Sequence, residues 1–303
     1  MQIRRLIRGP TPLLISIPHM GTFLPPDIKG RMTDAALKLP DTDWSLDKLY
    51  WFAVDMGASL LMSAHSRYVV DLNRPPDDSH LYPGQEKAEP AAAPKLQGAL
   101  ELDLDKSWLK GGQKTTPQEP LPQYVKTGLC PLETFAGEKI YKAGEEPNAI
   151  EKLNRVTAYW VPYHETLAAE LQRIKQEFGY AILYDAHSIK SVVPRLFSGQ
   201  LPDLTLGSAH GTSCAPAMVE AAYKATSGHG YSSVVNGRFI GGYITRHYGQ
   251  PQHNIHALQT ELAQINYMDE NYPYQYDGAK AEKLQGVLKN VLTALLDWGR
   301  KRK

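Results

Sequence analysis

Gly179-Tyr180-Ala181-Ile182-Leu183-Tyr184-Asp185-Ala186-His187-Ser188 reads as the end of a helix, then a buried strand, then a polar tip. Upstream, residues 149–178 carry a helical pattern. Leu167, Leu171, Ile174 and Phe178 form one apolar stripe, Gly179 closes it, and Pro162 marks a kink or a fresh start. Residues 180–184 are too short and too apolar for anything but a buried strand. Helix, strand and polar tip in that order are what a βαβ unit produces.

Working outward, residues 13–17 form a second apolar run, stopped by Pro18, with His19-Met20-Gly21 as the loop at its end. Asp43 fits the N-cap of a helix in which Leu46, Leu49, Tyr50 and Val54 recur at helical spacing and Gly57 ends the run. Residues 58–62 and 68–72 read as strands, the second passing into Asp71-Leu72-Asn73-Arg74-Pro75-Pro76, where two prolines end the sheet. Residues 213–226 read as a helix with Pro216 in its first turn, residues 232–235 and 243–245 as strands, and residues 255–262 as a strand carrying Glu261. Leu284, Val287, Leu288, Val291, Leu292, Leu295 and Leu296 make an amphipathic C-terminal helix closed by Gly299 and the basic tail. No repeat of fixed period is visible. The alternation predicts a single α/β domain over residues 1–303, with a central mixed, largely parallel sheet flanked by helices. Residues 86–124 break the pattern. They are rich in Pro, Ala, Lys, Gln and Glu and read as a long surface excursion with a short helix near 100–109. A solvated insertion is the simpler reading and a lid over a site the functional one.

Composition narrows the partners. The 303 residues carry 33 Lys and Arg against 32 Asp and Glu, so no strong field attracts nucleic acid or an anionic membrane. No apolar run approaches the ~20 residues needed to span a bilayer. Two cysteines, Cys130 and Cys214, make no disulfide framework, and the N-terminus lacks a signal-type stretch. A cytoplasmic protein acting on a small molecule is the expectation; the sequence leaves the oligomeric state open.

Ligands of open α/β sheets bind beyond the carboxyl ends of strands. Three such ends carry chemistry: His19, the segment from Asp71 to Arg74, and Asp185 with His187. Neutral imidazole is the commonest zinc ligand, and a catalytic zinc takes three protein ligands and keeps one position open. His19 and His187 are therefore the metal candidates, Asp41 or Asp43 could supply a carboxylate, and Asp185 could orient His187. Each histidine alone could be an ordinary polar loop residue, because no compact His-Glu-x-x-His motif is present. Arg74, Arg195, Arg238 and Arg246 lie near turns, and guanidinium groups hold carboxylates through paired hydrogen bonds; surface ion pairing is the plainer fate of each. Glu261 lies in an apolar-leaning stretch and is a candidate general base if it reaches the site, or a solvent-facing carboxylate if it does not. No G-x-S-x-G elbow and no phosphate loop is present.

The segments together resemble the N-formylglutamate amidohydrolase family. The resemblance rests on Ser16-Ile17-Pro18-His19-Met20-Gly21-Thr22, Asp41-Thr42-Asp43-Trp44, Ser66-Arg67-Tyr68-Val69-Val70-Asp71-Leu72-Asn73-Arg74-Pro75 and Leu81-Tyr82-Pro83-Gly84. It continues through Thr127-Gly128-Leu129-Cys130-Pro131, Tyr184-Asp185-Ala186-His187-Ser188-Ile189, Val193-Pro194-Arg195-Leu196-Phe197, Asn236-Gly237-Arg238-Phe239, Gly241 to Gly249, and Gln259-Thr260-Glu261-Leu262. It implies an α/β fold similar to zinc carboxypeptidases (phosphorylase/hydrolase-like). The implied activity is metal-dependent hydrolysis of N-formyl-L-glutamate to formate and L-glutamate, the last step of one histidine-degradation route. By the same resemblance His19, Asp43 and His187 hold one zinc ion, with Asp41 as the alternative carboxylate. Glu261 is the implied base. Arg74, Arg195 and Arg246 are implied to hold the substrate carboxylates, with His247 a further substrate contact. The chain departs from the family pattern at the 86–124 insertion, at Lys190, where arginine is expected after His-Ser-Ile, and at Ser208-Ala209-His210. Two other readings remain: a zinc amidohydrolase or carboxypeptidase acting on another N-acyl amino acid, and a small-carboxylate binding protein without turnover.

Overall fold

The structure, a computed structural model, describes residues 3–79 and 127–301. The expected excursion at 86–124, its short helix and the Leu81–Gly84 motif lie outside the described residues. One seven-stranded sheet organises the rest: β1 (Arg4–Ile7), β2 (Leu13–Ile17), β3 (Ser59–Ser63), β4 (Ala181–Ile189), β5 (Leu204–Gly207), β6 (Ser233–Val235) and β7 (Ile255–Ala263). Their spatial order is β1-β3-β2-β4-β7-β5-β6. β3, β2, β4 and β7 run parallel; β1 is antiparallel to β3, and β5 is antiparallel to β7 and parallel to β6. This is the mixed, largely parallel sheet flanked by helices that the alternation predicts. β2, β3, β4 and β7 are buried along their whole length, as parallel strands covered on both faces must be.

Two helical layers cover the sheet. On one face lies a continuous helical run made of α5 (Ala149–Arg155), a π-helical turn (Val156–Trp160) and α6 (Val161–Phe178). Its Leu167, Leu171 and Ile174 pack on Leu14, Leu61 and Leu183. Pro162 does not break the run: it occupies the first turn of α6, where its missing N–H costs least, and the wider π turn precedes it. On the other face α9 (Gly278–Arg300) sets Leu284, Leu288, Leu292 and Leu295 against Ile15, Leu60, Ile182 and Leu258. α9 begins six residues before its apolar stripe because Asp277 caps it, accepting from the N–H groups of Ala279 and Lys280. Gly299 does not end this helix; it lies inside it, where a Cβ would sit 2.4 Å from the Tyr180 hydroxyl.

Several local expectations are corrected. Residues 68–72 form turns, not a strand. Val69, Val70 and Leu72 are buried, yet their segment folds back on itself, with Val69 N–H donating to Ser66 O and Asp71 N–H to Leu129 O. Residues 243–245 open a helix, α8 (Tyr243–Tyr248), whose start is set by Asn73 Oδ1 accepting from Ile244 N–H. Two short helices, α1 (Pro26–Lys29) and α2 (Asp34–Leu37), follow β2; the helix expected after Asp43 is two further short pieces, α3 (Leu46–Tyr50) and α4 (Phe52–Asp55), and Ser45 in a left-handed conformation precedes it. β4 runs on through Ile189, so Asp185 and His187 sit within the strand and not beyond it. α7 (Pro216–Ala225) lies where expected, with Pro216 in its first turn.

Candidate metal centre

The strand ends bring His19, Asp43 and His187 together. His19 follows β2 on a loop that lies against the chain after β3: a Cβ on Gly21 would stand 2.3 Å from the His65 carbonyl oxygen, so only glycine allows that approach. Asp43 is tied to the same loop, its N–H donating to His19 O at 3.1 Å. His187 lies in β4, two residues after Asp185, so both side chains leave the same face of the strand. One ligand atom from each of His19, Asp43 and His187 lies within 4.8 Å of the others, and all three residues are buried. The imidazole rings are 4.9 Å apart at their centroids.

The far side of each imidazole is held by a carboxylate. His19 Nε2 is 2.7 Å from Asp71 Oδ1, and His187 Nε2 is 3.1 Å from Asp185 Oδ2. Those contacts turn Nδ1 of both rings toward Asp43, whose Oδ2 is 3.8 Å from His19 Nδ1 and 3.2 Å from His187 Nδ1. Carboxylates are common partners of metal-ligating histidines, because they fix the tautomer and raise ligand basicity. Burial and the Arg67 guanidinium hold His19 below the ordinary imidazole range, against the pull of Asp71 and Asp43. Burial alone would lift Asp71, but His19, Arg67 and Arg74 outweigh it and hold its carboxyl well below the usual range. Neutral His19 therefore donates Nε2–H to ionised Asp71 and keeps its Nδ1 lone pair. For His187, burial is outweighed by Asp185 and Asp43, which raise it well above the usual value, so a cation binding there would displace the proton from Nδ1.

Arg67 is the buried counter-charge. Its Nη2 meets Asp71 Oδ2 at 2.7 Å and its Nη1 lies 3.8 Å from Asp43 Oδ1. Asp43 Oδ1 is buried and, among the described residues, accepts no hydrogen bond. Leaving such an atom unsatisfied costs about 1–3 kcal/mol or more. Two imidazole nitrogens and a carboxylate oxygen are the donor set of a hydrolytic zinc site with an open position, and a cation there would satisfy Asp43. The residues present fit a divalent metal. Asp41 takes another part: its Oδ2 accepts from Tyr68 OH at 2.8 Å and from Phe135 N–H at 2.9 Å, and burial raises its carboxyl to about 6.

Glu261 stands beside this cluster. In β7 it is paired in register with His187 of β4, which places the two side chains on one face of neighbouring strands. Burial raises its carboxyl to about 8, with His187 opposing and Asp43 adding to the effect.

The other expected residues spread around the centre. Arg74 donates to Thr127 O at 2.8 Å and to Asn73 O at 2.9 Å. Arg195 donates to Thr134 O at 2.9 Å and pairs with Glu133. Arg246 donates to Gly241 O at 2.8 Å, on the helix whose Thr245 hydroxyl donates to Asp185 Oδ2 at 3.2 Å. His247 stacks on Tyr243 and meets Tyr248 edge-on. Arg238 donates to Leu196 O at 2.7 Å. A cleft of about 440 Å³ opens beside the centre, lined by Asp41, Ser188, Lys190, Arg195 and Gln264 among others. Arg67 and Gln264 are absent from the sequence-based candidates, and Asn73 enters them only within the segment from Asp71 to Arg74. Asn73 Nδ2 lies 3.0 Å from His187 Nε2. The signal for Arg67 was faint: a lone cation at the head of an apolar Tyr-Val-Val run that ends in Asp71.

The sequence model of the N-formylglutamate amidohydrolase family matches residues 11–268. The chain is 45% identical over 298 residues to an N-formylglutamate deformylase of Pseudomonas aeruginosa, covering 97% of this chain and 96% of that one. It is 42% identical over 296 residues to an N-formylglutamate deformylase of Pseudomonas putida, with 97% and 96% covered. Among solved structures it matches an N-formylglutamate amidohydrolase from Ralstonia eutropha JMP134 with a TM-score of 0.75 at 23% identity, over 100% of both chains. A gene product of Agrobacterium tumefaciens matches with a TM-score of 0.61 at 14% identity, over 97% of this chain and 95% of that one. These two likenesses carry the fold.

Proposed function

The chain belongs to the N-formylglutamate amidohydrolase family, and from that premise we propose that it hydrolyses the formamide of N-formyl-L-glutamate to formate and L-glutamate. The observation that carries the reading is the buried cluster of His19, Asp43 and His187 at the carboxyl ends of parallel strands. We take the cation to be zinc, held by the two imidazoles and Asp43, where it would supply Lewis acidity toward the formyl oxygen and toward water. Glu261 is the general base: its carboxylate takes a proton from the attacking water and delivers it to the departing nitrogen. An amide nitrogen leaves poorly unless protonated, so one carboxyl group that gains and then gives a proton serves both steps. Burial raises that carboxyl, which suits a group that must hold the proton between the two steps. Asp71 and Asp185 keep the two imidazoles oriented. Arg74, Arg195, Arg246 and His247 are the groups from which the substrate is held and aligned.

The reading further places the reaction at the last step of a histidine-degradation route, in the cytoplasm, and takes residues 1–303 as one domain with an insertion at about 86–124. Cys130 and Cys214 are both free and buried, which suits a reducing compartment. Among the described residues no helix is long and apolar enough to cross a membrane. The test is formate release from N-formyl-L-glutamate beside release of the acyl group from the N-acetyl and N-succinyl analogues. The reading predicts a clear preference for the formyl compound; equal or faster cleavage of another acyl group would favour a different N-acyl amino acid.

A further inference from the structure

The cleft beside the candidate metal centre contains two polar groups whose bonding is unfinished. Lys190 follows β4 directly and lines the cleft. Its ammonium lies 5.5 Å from the Tyr274 ring centroid and, among the described residues, forms no hydrogen bond or ion pair. Arg195 lines the same cleft, but Glu133 already balances its charge. Gln264 is 2% exposed, and its Oε1 is buried without a hydrogen-bond partner among the described residues. The orientation of that amide is fixed, because its Nε2 donates at 3.0 Å to Thr42 O, which can only accept. The cleft joins the centre through Ser188, which lines it and whose N–H donates to Asp43 Oδ2 at 3.2 Å.

Asp41, on the same cleft, feels the Lys190 charge but spends its hydrogen bonds on Tyr68 and Phe135, so an ammonium without an ion pair and a buried, unsatisfied acceptor line one cleft and suit a ligand that carries both an anion and an N–H. N-acyl glutamate has that pattern: a side-chain carboxylate and an amide N–H. Resting on the proposed function, we infer that Lys190 is the specificity-determining residue for the side-chain carboxylate, and that Gln264 Oε1 accepts the amide N–H of the same substrate. The ion pair selects a dicarboxylate over its neutral isostere, since among the described residues no other anion lies within ion-pair distance of the ammonium. Arg195 lends hydrogen bonds at the rim and little net charge. Lys190 stands at a position of the β4 loop where arginine would serve the same end with a planar fork, so the lysine makes a single-point contact that tolerates a shorter reach.

The test measures binding and turnover separately. Calorimetric affinities for N-formyl-L-glutamate and for its neutral isostere N-formyl-L-glutamine are compared in the wild type, Lys190→Met and Lys190→Arg. The expected result is a wild-type preference for the dicarboxylate that falls about 10- to 100-fold in Lys190→Met and survives in Lys190→Arg, with N-formylglutamine affinity unchanged. Gln264→Leu should weaken both ligands alike, because it removes the acceptor for the amide N–H that they share, and unchanged affinities in it would overturn that half of the inference. An undiminished preference in Lys190→Met, no preference in the wild type, or equal losses for both ligands in Lys190→Met would each overturn the inference. Absence of formate release with the binding preference intact would instead count against the proposed function alone.

Discussion

Asp71 Oδ1 lies 2.7 Å from His19 Nε2, and that single contact decides which nitrogen of His19 faces Asp43. With the proton held on Nε2, Nδ1 is the nitrogen left to meet a cation. Asp71→Asn can still accept from Nε2–H through its carbonyl, but it surrenders the charge that favours this tautomer. Zinc affinity, read by competition with a chromogenic chelator, should fall about 10- to 100-fold. An unchanged affinity would mean that Asp71 serves Arg67 and not the metal centre.

Glu261→Gln should retain zinc and lose turnover by about 10²- to 10⁴-fold, the range typical of a lost general base. His187→Ala should instead lose the metal itself. Zinc content after dialysis, measured beside kcat, separates the two outcomes. Near-full activity in Glu261→Gln would remove the base from the account.

Gly242 touches the centre indirectly. A Cβ there would stand 2.3 Å from Asn73 Nδ2, and Asn73 bridges Ile244 N–H and His187. Gly242→Ala should displace Asn73, cost about 1–3 kcal/mol by overpacking, and lower kcat while leaving the zinc stoichiometry at one. Denaturant titration and zinc analysis of the same preparation check both halves.

Two buried histidines outside the candidate ligand set give the fold a pH dependence. His164 donates Nε2–H to Leu72 O and accepts from Tyr248 OH at Nδ1, and burial lowers it to about 3. Burial lowers His65 to about 4. Unfolded histidine takes up a proton near pH 6.5, whereas these two stay neutral in the fold, so stability is greatest above that pH and falls as pH drops toward their folded values. Between pH 7 and pH 5 each should remove about 2 kcal/mol. Urea midpoints at the two pH values test this, and His164→Gln should flatten the slope.

Much of the frame was legible because burial leaves a simple mark. The runs at 13–17, 58–62 and 180–184 are mostly apolar on both faces, and only covered parallel strands need that. The C-terminal stripe from Leu284 to Leu296 has helical spacing because one face of α9 meets the sheet. Residues 68–72 carry the same apolar mark for a different reason: Val69 belongs to a buried cluster with Ile28, Met32 and Ile140, and Val70 to one with Trp160 and Leu167, and neither pairs with a strand among the described residues. Tyr243-Ile244-Thr245 has strand-favouring residues, but a side chain 171 positions away, Asn73, starts a helix there. β1 escaped notice because Arg4 and Arg5 make it polar, and β5 because it has four residues. At the site, histidines on polar tips after strands were visible. The choice between Asp41 and Asp43 was not, since two residues of spacing says nothing of Tyr68 and Phe135 claiming Asp41. Arg67 and Gln264 matter through burial and unfinished hydrogen bonds, which exist only once the chain has folded.

The most direct test of the central claim, that His19, Asp43 and His187 hold a cation on which hydrolysis depends, is formate release by chelator-treated protein before and after zinc is restored. The account predicts no release from N-formyl-L-glutamate without metal and full recovery at one zinc per chain. Undiminished release by protein shown to be metal-free would contradict it.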